Sequence, residues 1–376
     1  MKIRTGTAFG GVVLALTFSL VALSAGQRRN QQQQQQQRGQ TDGPQRLGPI
    51  AATKQEADAF EAVRIETDPA KKLVGSDAFL SKFPDSQLTG YIQRFRMETF
   101  TRTGKPKEAI VAGEAGLAFE IKFMEDLIKQ ADAAAAEASD SKDKKDKDKD
   151  KDKDKNAVKL DKNSPEFKTF AEETEKAMLY YYQSIMTSYQ QLNDAAKTIE
   201  YGEKALGQDP DDLLTLLTLS SVLAERPPSD EKQKEEQMKR VLELAKKADA
   251  KVTQIVSSPA GAQMSGEQKA GLVLTVHQTL GLANLHLKKY GEAEKEYLAA
   301  IAAKKDDSVS YFRLGIAYVQ DKKLDQALDA LAKSVFLKGV AEAQARDILK
   351  QVYEAKNKSS EGLEDFIKNA GQKIGQ

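Results

Sequence analysis

The two histidines are the residues of this chain best suited to acid–base or metal chemistry, because the sequence contains no cysteine. His277 and His286 lie nine residues apart on one predicted helix, and at about 100° per residue they occupy opposite faces. They therefore cannot bind the same metal ion. The paired carboxylates at Asp211–Asp212 and Asp306–Asp307 could act as general acid and base, but they precede predicted helices, where carboxylates cap free amides and complement the helix dipole.

Known catalytic motifs are also missing from the sequence. No GxGxxG, GxxxxGK[ST], HExxH or GxSxG arrangement occurs, and no Ser/His/Asp triad has an identifiable anchor. Without cysteine there is no disulfide, thiolate metal site, cysteine nucleophile or lipid-modified N-terminal cysteine. The sequence therefore predicts a protein that is not an enzyme and has no cofactor and no metal ion. The enzymatic alternative is a hydrolase of envelope polymers, which a pocket of convergent carboxylates with perturbed pKa values would support.

The charge balance argues against a nucleic-acid partner. The 57 Lys and Arg residues nearly equal the 56 Asp and Glu residues, so no strong electrostatic field directs the chain towards a polyanion. The partner that we expect is instead a protein or a peptide.

The first 26 residues have the pattern of an export signal. Lys2 and Arg4 precede an apolar stretch, and the small residues Ser24–Gly26 follow it. The stretch approaches the roughly 20 residues that span a bilayer, so it is either a cleaved signal peptide or an N-terminal anchor. The rest of the chain is expected outside the cytoplasm in both cases. It would be periplasmic, secreted or associated with an outer membrane, and anchored to the inner membrane only if residues 8–25 are retained.

Two low-complexity stretches separate the remaining parts of the chain. Residues 27–52 are rich in Gln, Arg, Gly and Pro, and this composition predicts a disordered linker. Residues 139–164 are dominated by alternating Lys and Asp. Adjacent alternation does not place opposite charges four residues apart, and Asp is a poor interior helix residue, so a disordered loop is predicted. The loop is either a solvated spacer or a charged docking segment.

The rest of the chain has helical periodicity and a repeat of 34 residues. It is rich in Ala, Leu, Glu and Lys, with apolar residues three and four apart, which predicts an all-helical protein. Small and large residues recur at matching positions, as Leu280-Gly281 and Leu314-Gly315, Ala293 and Ala327, Tyr297 and Leu331, Ala300 and Ser334. The small residues leave room for a neighbouring helix backbone, and the large ones fill the space towards the next repeat.

These positions resemble the tetratricopeptide repeat (TPR), in which helix A carries a Leu-Gly pair and helix B carries small, large and small residues. The resemblance implies an all-α, right-handed α-solenoid of about five to six TPR-like helix pairs. Degenerate pairs are expected in 53–138, TPR-like repeats with an insertion in 165–258, two well-matched repeats in 259–340, and capping helices in 341–376.

The resemblance further implies that the A helices present a concave groove to a partner. By the family's positions, the groove is lined by Tyr180, Gln183, Leu214, Leu217, Ser221, Gln278, Leu282, Phe312, Ile316 and Gln320. Several of these residues are apolar and suit an amphipathic helix or an extended apolar peptide, unless a neighbouring helix of the same chain already covers them. On this interpretation Gly315→Leu unfolds its repeat, whereas Phe312→Ala leaves the fold intact and weakens partner binding.

The function expected from these features is that of a non-catalytic scaffold or adaptor in a bacterial cell envelope. The alternative is a structural or assembly subunit of a stable envelope complex. A partner that remains bound through salt washes would favour the structural or assembly subunit. The sequence does not specify the oligomeric state.

Overall fold

The computed structural model of the protein describes residues 47–142 and 161–374. Fifteen helices and no strand occur within these ranges, so the expected all-α architecture is confirmed. None of these helices is both long and apolar enough to cross a membrane. The predicted export segment, most of the Gln-rich linker and most of the Lys/Asp-rich loop lie outside the described residues. The described chain divides into an N-terminal unit, 47–210, and a C-terminal unit, 211–374.

Helix starts follow the capping chemistry of the sequence. Eight of the fifteen helices in the described ranges begin at a Ser, Thr or Asp whose side chain accepts a backbone N–H from the first turn. Asp212 accepts from the Thr215 amide at 2.8 Å, and Asp307 accepts from the Ser310 amide at 2.7 Å. One carboxylate of each predicted pair is therefore a helix cap.

The N-terminal unit consists of three successive antiparallel helix pairs. Its helices are α1 (Lys54–Ile65), α2 (Pro69–Lys82), α3 (Thr89–Arg102), α4 (Pro106–Lys142), α5 (Pro165–Gln191) and α6 (Ala195–Gln208). The pairs are α1 with α2, α3 with α4 and α5 with α6, and α4 also packs against α5. Helix α4 continues to Lys142, so the first residues of the predicted 139–164 loop are helical.

Glycines in α4 allow α5 to pack closely against it. A Cβ at Gly113 would lie 2.8 Å from Ile185 Cγ1, and one at Gly116 would lie 2.4 Å from the Tyr181 hydroxyl. That hydroxyl donates a 2.6 Å hydrogen bond to the Gly90 carbonyl oxygen of α3. Tyr181 is fully buried. It therefore connects the α5–α6 pair to the α3–α4 pair by close packing and by a hydrogen bond.

The C-terminal unit is a separate series of packed helices. They are α7 (Leu213–Glu225), α8 (Glu231–Ser257), the single turn α9 (Pro259–Ala262), α10 (Gly266–His286), α11 (Tyr290–Ala303), α12 (Ser308–Gln320), α13 (Leu324–Phe336), α14 (Glu342–Asn357) and α15 (Leu363–Gly371). Helix α7 pairs with α8, α10 with α11 and α12 with α13. Both α14 and α15 pack on α13, as expected for helices that cap the end of a repeat array.

The 34-residue period corresponds to repeated close contacts between paired helices. A Cβ at Gly281 of α10 would lie 2.7 Å from the ring of Tyr297 in α11. One repeat later, a Cβ at Gly315 of α12 would lie 2.6 Å from Leu331 Cγ in α13. Tyr297 and Leu331 are both fully buried. The glycines therefore admit a large side chain of the paired helix, a contact within the pair rather than the predicted approach of a bare backbone.

Replacing Gly315 is expected to destabilise the C-terminal unit. Even Gly315→Ala forces Leu331 to move, and Gly315→Leu adds three more carbons, so we expect losses of about 1–3 kcal/mol or more from overpacking. Urea unfolding followed by circular dichroism measures the loss. Gly291→Ala is the matched control, because its added methyl group meets nothing within 4 Å. An equal effect of Gly315→Ala and Gly291→Ala would contradict the close contact.

Left-handed residues close the turns between the two helices of a pair. The turn residue is Gly104 in the α3–α4 pair and Asn193 in the α5–α6 pair. In the two regular repeats it is Lys288 (φ 60°) and Lys322 (φ 62°). Glycine adopts this conformation without the steric cost that lysine carries.

Lys322→Gly is therefore expected to stabilise the chain by about 0.5–1 kcal/mol, because relief of the left-handed strain exceeds the added entropy of the unfolded chain. A rise in the urea midpoint would show this. Lys289→Gly serves as the control, since Lys289 has a φ of −89° and gains no such relief. A lower midpoint for Lys322→Gly would mean that the lysine is not strained in solution.

Candidate functional site

The ten residues predicted to line a groove differ in their exposure. Tyr180 and Gln183 lie in the N-terminal unit, and the other eight lie in the C-terminal unit. Those that are half-buried are Tyr180, Gln183, Leu214, Ser221 and Gln278, and Gln320 is exposed. The four that are buried, with exposed fractions of 3, 1, 7 and 5%, are Leu217, Leu282, Phe312 and Ile316.

The four buried residues are not open to a partner in the structure. Every residue of α12 from Ser308 to Tyr318 is buried, so the alternative that the chain itself covers the apolar positions holds for Phe312 and Ile316. Truncating a buried aromatic side chain removes packing and leaves a cavity. The expectation that Phe312→Ala leaves the fold intact is therefore corrected, because this change is expected to destabilise the C-terminal unit. Gln278 is also engaged, since its amide donates to Asp307 at 2.7 Å.

The two histidines occupy separate environments on α10. His277 Nδ1 lies 2.7 Å from a carboxylate oxygen of Glu296 on α11. Burial, together with the positive charge of Lys234 on α8, lowers the pKa of His286 to about 4. Within the described residues, no group of three or more His, Asp or Glu side chains could hold a metal ion.

A buried ion pair joins α7 to α12 inside the C-terminal unit. Arg313 Nη2 donates to Glu225 Oε1, and the side chains are only 6% and 8% exposed. Burial alone would lower the pKa of Arg313, but the neighbouring carboxylate of Glu225 raises it above its usual value. Neither the second oxygen of Glu225 nor the buried hydroxyl of Tyr297 has a hydrogen-bond partner among the described residues. Sequence analysis missed the pair because its members are 88 residues apart.

Two surface clefts bear on the enzymatic alternative. One, of about 280 Å³, lies between α3 and α4 and has Glu108 as its single carboxylate. The other, of about 420 Å³, contains Glu364 and Asp365 beside α15. Arg346 also lines this second cleft and donates to Glu364 at 2.5 Å, so one of its two carboxylates is ion-paired. The first cleft therefore has no second carboxylate to serve as a general acid or base, and in the second cleft one of the two carboxylates is bound by Arg346.

A more open set of residues lies on α1, α2 and α3 of the N-terminal unit. We call it the basic–aromatic surface, and it comprises Phe60, Arg64, Lys72, Tyr91, Arg94, Phe95 and Arg102. Its three aromatic rings are half-buried, with the Phe60 ring centroid 6.0 Å from that of Tyr91 and 5.9 Å from that of Phe95. The inner edges of these rings pack against a buried cluster that includes Val63. The aromatic rings are therefore held in place by the core while part of each remains accessible.

Two of the four cations of this surface lie over its rings. The Lys72 ammonium lies 5.1 Å from the centroid of the Phe95 ring and donates to the Arg64 carbonyl oxygen at 3.2 Å. The Arg94 guanidinium lies 5.2 Å from the centroid of the Tyr91 ring. These distances are in the range of cation–π contacts. The surface therefore presents positive charge and aromatic area together.

The packing of Gly281 on Tyr297, repeated 34 residues later by Gly315 on Leu331, decides the architecture. The chain has a TPR-like fold. Within each regular pair, a small residue of helix A admits a large residue of helix B, in the register that the repeat requires.

Solved structures that this TPR-like chain matches are helical-repeat proteins. The MamA RS-1 ArsTM double mutant shares 16% identity over 52% of this chain and 93% of its own, with a TM-score of 0.35. A thermophilic TPR protein of Thermus thermophilus shares 16% identity over 50% of this chain and 94% of its own, with a TM-score of 0.34. The TPR2AB domain of yeast Sti1 shares 12% identity over 84% of this chain and 96% of its own, with a TM-score of 0.23. No protein-family model matches the sequence, and no curated protein does so significantly.

Helix α3 is the first helix of its pair with α4, and it carries four of the seven residues of the basic–aromatic surface. Arg94, Glu98 and Arg102 follow one another at intervals of four residues, which places them in one stripe on the helix. This spacing is visible in the sequence, but the stripe was not predicted because the 53–138 segment was interpreted only as degenerate repeats. The position of Lys72 beside the stripe could be seen only in the structure, because Lys72 lies on another helix, α2.

Proposed function

We propose that this protein is a non-catalytic scaffold that binds other proteins through the basic–aromatic surface of its N-terminal unit. The observation that carries the proposal is the combination of three half-buried, firmly packed aromatic rings with two cationic side chains, Lys72 and Arg94, that lie over two of them. Tyr, Phe and Arg are enriched at protein interfaces, and rigid aromatic anchors contribute much of the binding free energy. A stack of helix pairs holds such anchors in fixed positions.

The scaffold is proposed to act outside the cytoplasm, as an adaptor in a cell envelope. Support for this location comes from the pattern of residues 1–26, in which basic residues precede an apolar stretch and small residues follow. The half-buried positions predicted on α5, Tyr180 and Gln183, are proposed as further contacts of the same N-terminal unit. In the C-terminal unit, Gln320 is the exposed residue of the predicted set.

A crosslinking pull-down from envelope fractions tests the proposal. The variant Arg94→Glu/Arg102→Glu reverses one half-buried and one exposed charge of the surface, and it is expected to lose specific partners while keeping its helicity. Lys295→Glu/Lys304→Glu makes the same charge change at two exposed positions of the C-terminal unit and is expected to retain them. The same partners at the same yield from both variants would show that the basic–aromatic surface is not the working surface.

The alternative of a stable structural subunit makes a different prediction in the same experiment. A subunit would co-purify with its partners through high-salt washes without crosslinking, because obligate interfaces are large and apolar. Loss of the partners in salt, together with their recovery by crosslinking, favours the adaptor.

A further inference from the structure

We propose that the basic–aromatic surface recognises an acidic segment of its partner protein, with carboxylates placed next to apolar side chains. This inference names the class of partner for the surface described above and therefore rests on the proposed function. It follows from how the charges of the surface are satisfied within the chain.

Two of the carboxylates close to these cations are already engaged. Glu61 accepts hydrogen bonds of 2.7 and 2.6 Å from the guanidinium of Arg64. Glu66 accepts the backbone N–H groups of Thr67 and Asp68 at 2.7 and 2.8 Å. These contacts leave neither carboxylate free to turn towards the cations of α2 and α3 without losing two hydrogen bonds.

The remaining cations form few close ion pairs. Glu98 approaches Arg94 only to 4.0 Å, and the buried carboxylate of Glu120 on α4 attracts Arg94 without forming an ion pair with it. Arg102 forms no ion pair with a carboxylate of the described residues.

Burial lowers the pKa of Lys72. The carboxylates of Glu98 and Glu66 oppose this shift, while the like charges of Arg102 and Arg64 add to it. A cation that is partly desolvated and near another cation gains more from a carboxylate than a fully solvated surface lysine does.

The shape of the surface favours a protein segment over a bare anion or a lipid surface. Lys72 is half-buried, with its ammonium over the Phe95 ring, so an anion must reach it beside the aromatic rings. A Glu or Asp side chain on a flexible backbone can do so while an adjacent apolar side chain packs on Phe60 or Tyr91. A free phosphate has no group for the rings, and a flat headgroup layer does not reach a recessed ammonium.

Fluorescence anisotropy with the full chain tests this inference. The probe is a fluorescein-labelled peptide of alternating Glu and Leu, and the comparison peptides replace Glu by Gln or by Lys. We expect the Glu peptide to bind, the other two to bind at least about tenfold more weakly, and the affinity to fall as salt screens the charges. Lys72→Gln and Arg102→Gln should each weaken the Glu peptide about tenfold, and Lys295→Gln should not. Far-UV circular dichroism checks that every variant keeps its helicity.

Several outcomes would overturn the inference. They are equal binding of the Glu and Gln peptides, equal binding by Lys72→Gln and wild type, displacement of the Glu peptide by millimolar phosphate alone, and retention on anionic vesicles but not on peptide. Failure here can be distinguished from failure of the scaffold proposal. If Arg94→Glu/Arg102→Glu loses partners in the pull-down but the Glu peptide does not bind, the surface is the working one and its partner is not acidic.

Discussion

Arg313→Met is expected to lower the free energy of unfolding of the C-terminal unit by about 3–5 kcal/mol, because it leaves the Glu225 carboxylate buried without its countercharge. Glu225→Gln should cost a similar amount by leaving Arg313 unpaired. Glu225 is also the last residue of α7, and the helix dipole disfavours negative charge at that end of a helix. Its stability in that position therefore depends on Arg313.

The double variant distinguishes the cost of an orphaned charge from the net contribution of the pair. Glu225→Met/Arg313→Met replaces both groups with apolar side chains, and such replacements are often neutral or stabilising. We therefore expect urea unfolding to show most of the single-variant loss recovered. Lys239→Met is the surface control, because Lys239 and its partner Glu235 are 62% and 57% exposed, and exposed pairs contribute about 0–1 kcal/mol. Single-variant losses as small as that of the control would mean that water reaches the buried pair in solution.

The repeat architecture could be predicted from the sequence because it depends on local spacing. Gly281 and Gly315 each precede a large residue at the same fixed spacing in the sequence, and the structure shows that each glycine contacts that residue. The helix caps at Asp212 and Asp307 follow from the same kind of local rule. Neither inference required knowledge of how distant helices meet.

The exposure of the candidate site could not be predicted in the same way. Phe312 and Ile316 occupy positions that face outward from a single helix pair, and their burial depends on the rest of the chain around α12. Two other contacts likewise depend on the assembled unit. Tyr181 donates a hydrogen bond to Gly90, which lies 91 residues away in the sequence, and the Lys72 ammonium lies over the Phe95 ring of another helix. A repeat pattern specifies which residues pack within a pair, but not which surfaces remain open.

His286 is expected to make the C-terminal unit acid-labile. Burial holds its folded-state pKa at about 4, against an unfolded value of about 6.5. Between these two values the unfolded chain binds more protons than the folded chain, so the stabilising contribution is complete above the unfolded pKa and is lost as pH falls towards the folded one. The difference corresponds to about 3 kcal/mol at 1.36 kcal/mol per pKa unit.

The size of this shift shows which local effect dominates. His286 is the last residue of α10, where the helix dipole favours the protonated form by about 0.3–1 kcal/mol. It also forms a hydrogen bond with the backbone of Ala224, which raises its pKa. Burial and the positive charges of Lys234 and Arg313 oppose both effects and prevail.

The measurement is the free energy of unfolding from urea titrations between pH 7 and pH 4, taken as the difference between wild type and His286→Gln. This difference should fall by about 3 kcal/mol over the range, whereas carboxylates that titrate in both proteins cancel. His277→Gln, on the same helix, should retain the loss that His286 causes. A pH-independent difference between wild type and His286→Gln would contradict the burial of the imidazole.

Hydrogen exchange locates the acid effect within the unit. Protonated His286 adds a positive charge close to Arg313, where Glu225 is the carboxylate that already balances the guanidinium. Amides of α7 and α10 are therefore expected to lose protection at pH 4.5 before those of α13. In the Glu225→Met/Arg313→Met background one of the two repelling cations is gone, so the same loss should require a lower pH. Uniform loss of protection across the unit in both proteins would mean that acid acts through general charge repulsion rather than through this histidine.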